Sequence, residues 1–210
     1  MQNNSIFNPD SKFTHFTNKF SDLITLNLWF VLTSIPIITV GASTTSMHYV
    51  LLKIYCDELE YSVTKNFFQA FKQNFCQATV IWILYVIFAA LLFADFFFMT
   101  NPFLLKILLI IAALLLCLSL GWVFILQSRY VNPIYATIRN AVVFSIMHPV
   151  DTSLMFALIL LPILLFLCKP STIPILFICG FSISGIIQTA IYNRIMLKIE
   201  SEQNEVHSAQ

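Results

Sequence analysis

Long apolar runs separated by short polar segments dominate the chain. They fall at about 22–36, 79–99, 103–127, 150–168 and 172–192. The last four have the length of about 17–25 residues that a helix needs to cross a bilayer. The polar turns at 100–102 and 169–171 are short enough to join neighbouring helices as antiparallel hairpins. The pattern therefore predicts an all-α fold, namely a polytopic transmembrane helix bundle.

The first apolar run is ambiguous because residues 36–46, Pro-Ile-Ile-Thr-Val-Gly-Ala-Ser-Thr-Thr-Ser, interrupt it. A single span that ends near Val40 gives five spans in total. A turn through Gly41, followed by a second short span over 42–56, gives six. Hydropathy alone argues against this second span, because the segment is short and only moderately apolar.

The positions of Lys and Arg favour one alternative, because cytoplasmic loops are enriched in both residues. The five-span arrangement divides the 11 basic residues 7:4 between the two sides. In the six-span arrangement Lys12 and Lys19 change side and only Lys106 and Lys169 stay outside, which gives 9:2. We therefore expect six membrane-embedded helices with both termini in the cytoplasm, and five is the alternative. The small residues that follow the turn then begin a close helix contact.

Three parts follow along the chain. They are a cytoplasmic amphipathic lead over 1–20, a single transmembrane helical domain over 21–193 (spans about 22–36, 42–56, 79–99, 103–127, 150–168 and 172–192), and a polar cytoplasmic tail over 194–210. In the lead, Asn8-Pro9 fits a helix start. Phe13, Phe16 and Phe20 then recur on one helical face, which is typical of a short helix at a membrane surface. After Lys198 the tail is rich in Glu, Gln, Asn and Ser, and we expect this part to be disordered.

An aromatic stripe lies in the predicted loop 57–78. Phe67, Phe71 and Phe75 recur every four residues, and lysines that include Lys72 fill other positions. This pattern predicts an amphipathic helix that rests on an anionic inner leaflet. Such a helix anchors the bundle at the interface. Alternatively, Phe67, Phe71, Lys72 and Phe75 form a docking face for a cytosolic partner.

Four polar residues in or near the predicted spans are candidate functional residues, because polar groups are costly in hydrocarbon. Asp95 and Lys106 flank the turn at 100–102, where they can pair across the hairpin or reach to the outer interface. Asn27 and His48 lie on adjacent helices in the six-span arrangement and can hydrogen-bond to each other. A transport or proton-relay role for Asp95 or His48 is the functional alternative.

Composition and charge narrow the class of protein. The chain is 59% hydrophobic and only 10% charged, too apolar to cover a water-soluble globule with polar surface. Its net charge of +1 gives no reason to expect a nucleic-acid partner. Neither a G-x-S-x-G elbow nor an H-E-x-x-H pair occurs, and the four histidines are dispersed. We therefore expect no enzyme activity, no metal and no cofactor.

Several spaced polar motifs carry a family resemblance. They are Asn8-Pro-Asp-Ser-Lys-Phe13, Asn18-Lys19, Asp22-Leu-Ile-x-Leu-Asn27, Pro36-Ile-x-Thr-x-Gly41-Ala-Ser-Thr-Thr, Tyr49-Val-x-Leu-Lys53 and Phe67-Phe-x-Ala-Phe71-Lys-Gln-Asn-Phe75-x-Gln-Ala-Thr. In this order they resemble the YesL family of bacterial membrane proteins, closely over the first 80 residues and loosely beyond. The resemblance implies a domain of unknown function in a bacterial cell membrane. It supplies no catalytic residue to carry over.

The family's genes often lie beside genes for carbohydrate uptake and utilisation, which implies an accessory role in sugar import. We therefore expect an integral membrane protein of unknown biochemical activity that acts as a non-catalytic accessory protein. Its expected partners are the lipid bilayer and a sugar transporter complex. A small secondary transporter is the alternative, because interrupted helices often form substrate sites. A membrane enzyme is disfavoured, and the sequence leaves the oligomeric state open.

Overall fold

The computed structural model describes residues 12–59, 61–98, 103–168, 174 and 176–208. The helices in chain order are α1 (Lys12–Ser34), α2 (Val40–Tyr55), α3 (Val63–Phe98), α4 (Phe103–Arg129), α5 (Ile134–Met147), α6 (Pro149–Cys168) and α7 (Phe181–Ser208). A 3-10 turn (Ile37–Thr39) precedes α2, and a π-helical turn (Leu176–Gly180) precedes α7. Within the described residues there is no strand, and the all-α prediction is confirmed.

Helices α1 and α2 form an antiparallel hairpin. Helix α1 ends two residues before Pro36, because proline disfavours a helical residue before it and cannot donate a backbone hydrogen bond. Lys19 near the start of α1 forms an ion pair with Asp57, just beyond α2, at 2.8 Å. The predicted turn and the separate helix after it are thus confirmed. The lead is not a separate helix, however, since α1 runs without a break from Lys12.

Helix α2 lies at the centre of the fold and packs against α1, α3, α4 and α7. At its start, a Cβ on Gly41 would lie 2.5 Å from the carbonyl oxygen of Ala78 and 2.7 Å from Cβ of Trp82. Only glycine allows α2 and α3 to approach this closely. The predicted close helix contact at the small residues is therefore confirmed. The buried residues of α2 are Gly41, Ala42, Ser43, Thr45, Ser46, Met47, His48, Val50, Leu51 and Ile54.

Two clusters of buried side chains hold the helices together. One joins α1, α2 and the start of α3, and its members are Leu26, Phe30, Met47, Val50, Leu51, Ile54, Val63 and Phe67. The other joins α3, α4, α5, α6 and α7, and it surrounds Trp122. The indole of Trp122 is completely buried and stacks on the ring of Phe144 with 5.2 Å between centroids. Burial of rings of this size is a main source of packing energy in such a core.

Part of α3 and part of α4 extend beyond these clusters. We call residues 86–97 and 103–118 the apolar hairpin, and the other described residues the helical body. A hydrogen bond of 2.8 Å between the hydroxyls of Tyr85 and Ser119 marks the boundary. No side chain described within the apolar hairpin is buried, and Leu104 is 81% exposed. Because these exposed side chains are almost all apolar, lipid is the solvent that suits them.

Two helices in the described residues, Val63–Phe97 and Phe103–Arg129, are long and apolar enough to cross a membrane. A third crossing results if α5 and α6, which meet at a bend of 112°, count as one broken span. Helix α2 has only 16 residues, fewer than the roughly 20 that a span needs. The prediction of six spans is therefore not confirmed.

Two predicted segments differ in the structure. The predicted loop helix is the first half of α3 and continues directly into the apolar hairpin. The segment 199–208, predicted to be disordered, is helical, because α7 continues to Ser208. An ion pair of 3.7 Å joins Glu200 in this segment to Arg129 of α4. Residues 1–11, with the predicted helix start at Asn8-Pro9, and the turns at 100–102 and 169–171 lie outside the described residues.

Candidate functional site

Asn27 of α1 is completely buried and binds the start of α7. Its Nδ2 donates to the carbonyl oxygen of Leu176 in the π-helical turn at 3.0 Å. Its Oδ1 accepts from the backbone N–H groups of Phe181 and Ser182, each at 3.0 Å. The first N–H groups of a helix lack partners within the helix, so this distant amide acts as the cap of α7. Asn27 thereby fixes the place of α7 relative to α1.

His48 lies on α2 and is 3% exposed. Its Nδ1 has no hydrogen-bond partner in the described part of the chain. The sequence suggests a hydrogen bond between His48 and Asn27, but the amide of Asn27 bonds to α7 and to the π-helical turn instead. The structure buries both residues on neighbouring helices, and a shared role for them stays a prediction.

Asp95 and Lys106 lie in the apolar hairpin, the first near the end of α3 and the second near the start of α4. Asp95 is half-buried and Lys106 is exposed. Both alternatives, pairing across the hairpin and reaching to the outer interface, stay predictions.

A polar network inside the helical body joins α3, α4 and α5. Gln127 of α4, 3% exposed, donates from Nε2 to Oδ1 of Asn74 at 3.4 Å, and its Oε1 accepts from the hydroxyl of Thr137 at 3.2 Å. Gln77 of α3 donates to the backbone carbonyl of Asn132. Buried amides in an apolar bundle are stable only when they are bonded in this way. The network therefore fixes the register of the three helices.

Further hydrogen bonds attach α6 to its neighbours. Nε1 of the buried Trp122 donates to the hydroxyl of Thr152 at 2.9 Å. The hydroxyl of Ser184 in α7 donates to the carbonyl oxygen of Leu158 at 2.9 Å. Sequence reasoning missed these contacts. Gln127 is recognisable in the sequence as a polar residue in an apolar helix. Thr and Ser are common in such helices, so their presence does not indicate a long-range hydrogen bond.

The predicted docking face is divided by the structure. Phe67 is fully buried in the cluster formed with α1 and α2, and Phe71 is half-buried. Lys72 and Phe75 are exposed, Phe75 by 38%. The phenylalanine stripe therefore faces mostly inward, and only its C-terminal end is available to a partner. Docking itself stays a prediction.

An apolar crevice of about 300 Å³ lies between the two helices of the apolar hairpin. Its lining includes Ala89, Phe93, Ile110, Ala113 and Cys117. Such a surface offers contact to lipid chains and no hydrogen bond to a polar substrate. The described residues contain no group of three or more His, Cys, Asp or Glu side chains that can hold a metal ion.

Comparison with known proteins gives one match. No curated protein matches the chain, and no solved structure matches it. Residues 23–96, from within α1 to near the end of α3, match the model of a family described as a protein of unknown function, DUF624. The match covers most of the segment that carries the YesL resemblance and is consistent with it. About a third of this chain is thus similar to a family of proteins whose function is unknown.

Proposed function

We propose that this chain is a non-catalytic accessory protein of a bacterial cell membrane, associated with carbohydrate uptake. The observation that carries the proposal is the use of the buried polar side chains. Asn27, Gln127 and Trp122 are bonded to neighbouring helices, where they hold the helical body in register. Side chains committed to such contacts are structural, whereas a substrate path needs polar groups that face a passage.

The apolar hairpin supplies the attachment to the membrane in this proposal. The basic residues favour a cytoplasmic location for both termini. The ion pair between Lys19 and Asp57 agrees with this for the N-terminal part, because it brings the start of α1 close to the end of α2, which precedes the basic first half of α3. The link with carbohydrate uptake comes from the YesL resemblance and from no residue of the structure.

The surface proposed for the partner is the exposed C-terminal end of the phenylalanine stripe, Lys72 and Phe75. It lies on the half of α3 that precedes the apolar hairpin, where a cytosolic or membrane-associated protein has access. An exposed aromatic ring beside a lysine offers both apolar contact and a cationic group. We expect the partner to be a sugar transporter complex.

A photo-crosslinking experiment tests this proposal. A benzophenone amino acid replaces Phe75 in the full chain, and Phe88, which is 58% exposed in the apolar hairpin, is the matched control. We expect irradiation of native membranes to attach Phe75 to transporter subunits, identified by mass spectrometry, and Phe88 to give mainly lipid adducts. The same protein adducts at both positions, or none at Phe75, would contradict the docking surface.

A small secondary transporter is the second candidate. It is favoured by two irregular segments, the 3-10 turn before α2 and the π-helical turn before α7, since broken helices often form substrate sites. Purified protein in proteoliposomes would then show solute flux that Asp95→Asn or His48→Ala reduces. The absence of flux for a panel of sugars and sugar phosphates would remove this candidate for those solutes.

A further inference from the structure

The turn between α1 and α2 exposes an unusual amount of apolar surface. Ile35 is 71% exposed, Ile37 is 73% exposed and Ile38 is 60% exposed. Three neighbouring isoleucines are a costly surface in water, at about 25 cal/mol per Å² of apolar area. The turn also lacks any charged residue, whereas turns in water are usually polar.

Several backbone carbonyls at this turn have hydrogen-bond partners within the protein. The hydroxyl of Thr39 donates to the carbonyl oxygens of Thr33 at 2.6 Å and Pro36 at 2.8 Å. The indole N–H of Trp82 on α3 donates to the carbonyl oxygen of Ile37 at 2.8 Å. In water these carbonyls would bond to solvent at no cost. In hydrocarbon each must find an internal partner, and two carbonyls of the turn, those of Pro36 and Ile37, and that of Thr33 at the end of α1 have one.

The depth of the turn in the membrane follows from its position along α3. The turn contacts α3 at Trp82, and Gly41, just after the turn in α2, lies against Ala78. An α-helix rises about 1.5 Å per residue, so Trp82 lies roughly 15 Å along α3 from the exposed Lys72 and roughly 22 Å before Phe97. The turn therefore reaches the level where the polar exposed face of α3 ends. It stops well short of the far end of the apolar hairpin.

We infer that α1 and α2 form a re-entrant hairpin whose turn, residues 34–39, inserts among the acyl chains of the leaflet nearest to Lys72. Acyl chains are the occupant because the turn continues the lipid-facing band of α3, where Val80 and Ile83 are exposed beside Trp82. Lys65 and Lys72 are exposed on the near side of the turn, where anionic headgroups lie. The placement rests on the proposed membrane crossing of the apolar hairpin, and it replaces the first and second of the six predicted spans, 22–36 and 42–56.

Spin labelling of the full chain tests this depth. The five native cysteines are replaced, and single cysteines at Ile37, Lys72 and Phe88 carry a nitroxide in vesicles of phosphatidylcholine and phosphatidylglycerol. Power saturation then compares collisions with oxygen, which concentrates in lipid, with collisions with a nickel chelate, which stays in water. We expect the oxygen-to-nickel ratio at Ile37 to exceed that at Lys72 several-fold and to stay below that at Phe88. A label at Ile35 repeats the test in case Ile37→Cys fails to fold.

The other possible results each contradict the insertion of the turn or the membrane crossing of the apolar hairpin. A label at Ile37 that meets nickel as often as Lys72 places the turn in water and overturns the insertion. Low collision rates with both reagents at Ile37 and Ile35 mean that protein, such as a second copy of the chain, covers the turn, and this too overturns it. If Phe88 itself meets nickel, the membrane crossing of the apolar hairpin fails, and with it the proposed function. Lipid exposure at Phe88 without lipid exposure at Ile37 contradicts only the re-entrant hairpin.

Discussion

Helix α3 belongs to two different regions of the molecule. Its first part lies in the helical body, where one face is buried from Val63 to Tyr85 and the opposite face carries polar side chains such as Lys65 and Lys72. Its second part lies in the apolar hairpin, where no described side chain is buried. Hydropathy treats both parts as one candidate span, yet only the second is apolar all round.

The comparison shows that the two regions depend on different interactions. The helical body is held by close packing and by buried hydrogen bonds, so a change there should alter the free energy of unfolding. The apolar hairpin has little internal packing and needs lipid as its solvent, so a change there should alter membrane insertion. Pairs of matched substitutions, one in each region, can therefore test whether the helical body and the apolar hairpin depend on different interactions.

The largest expected effect in the helical body follows Gly41→Val. The new Cβ would approach the backbone of Ala78 to 2.5 Å, and backbone atoms cannot move aside as a flexible side chain can. Overpacking of this kind costs about 3 kcal/mol, at the upper end of the usual range. We expect a markedly lower midpoint of thermal unfolding for the protein purified in detergent, with loss of the contact between α2 and α3.

The matched control is Ala94→Val in the apolar hairpin. Ala94 is exposed, so its added methyl groups meet lipid or detergent. The midpoint of unfolding should change little, because no packed neighbour is displaced. An equal loss of stability in both variants would mean that the apolar hairpin is packed against something, and the distinction between the two regions would fail.

A lysine in the apolar hairpin should weaken membrane insertion by a free energy comparable to the stability lost in Gly41→Val. Phe88→Lys places a charge near the middle of the apolar part of α3, where Phe88 is 58% exposed. A lysine at the centre of a span costs about 3 kcal/mol on insertion scales. We expect a smaller fraction of the protein to resist extraction from membranes at alkaline pH. Tyr135→Lys, at a position that is 75% exposed in the helical body, should leave this fraction nearly unchanged.

Sequence patterns predict some helices of both regions well, whereas α1 and α3 begin before the predicted spans at 22–36 and 79–99, and α7 begins and ends later than the span at 172–192. The apolar runs at 103–127 and 150–168 correspond to α4 and α6 within two residues at each end. Pro36 and Gly41, together with the positions of the basic residues, predict α2 as a separate helix although it is short. These features are local, since they depend on periodicity, on the geometry of proline and on charge.

The environment of each helix face could not be predicted in the same way. The stripe with Phe67 has the same period whether it faces lipid or another helix, and the structure places Phe67 against α1 and α2. Similarly, Asn27 shows in the sequence as a polar residue in an apolar run, but its partners in α7 lie about 150 residues away in the chain. A contact of this range depends on the packing of the whole bundle, and a local pattern does not encode it.

A smaller effect is expected when Asn27 is replaced in the helical body. Asn27→Leu keeps the volume but removes the acceptor for two backbone N–H groups of α7 and the donor to Leu176. Loss of a buried partner costs about 2 kcal/mol, because the remaining groups stay unsatisfied. Hydrogen exchange should become faster in the first turn of α7 while the apolar hairpin is unaffected. Uniformly faster exchange would show that the two regions do not unfold separately.

The smallest effect concerns an ion pair at the edge of the helical body. Asp151 of α6 is mostly buried, and its Oδ1 lies 2.6 Å from Nη2 of Arg194, whose side chain is 71% exposed. Because one partner is in contact with solvent, screening limits such a pair to about 0.5–1 kcal/mol. Asp151→Asn should therefore lower the midpoint of unfolding slightly, and the difference should shrink as salt is raised. The double variant with Arg194→Gln should cost no more than Asp151→Asn alone if the carboxylate acts mainly through this contact. An effect of several kcal/mol that salt does not change would mean that the carboxylate supports the start of α6 in some other way.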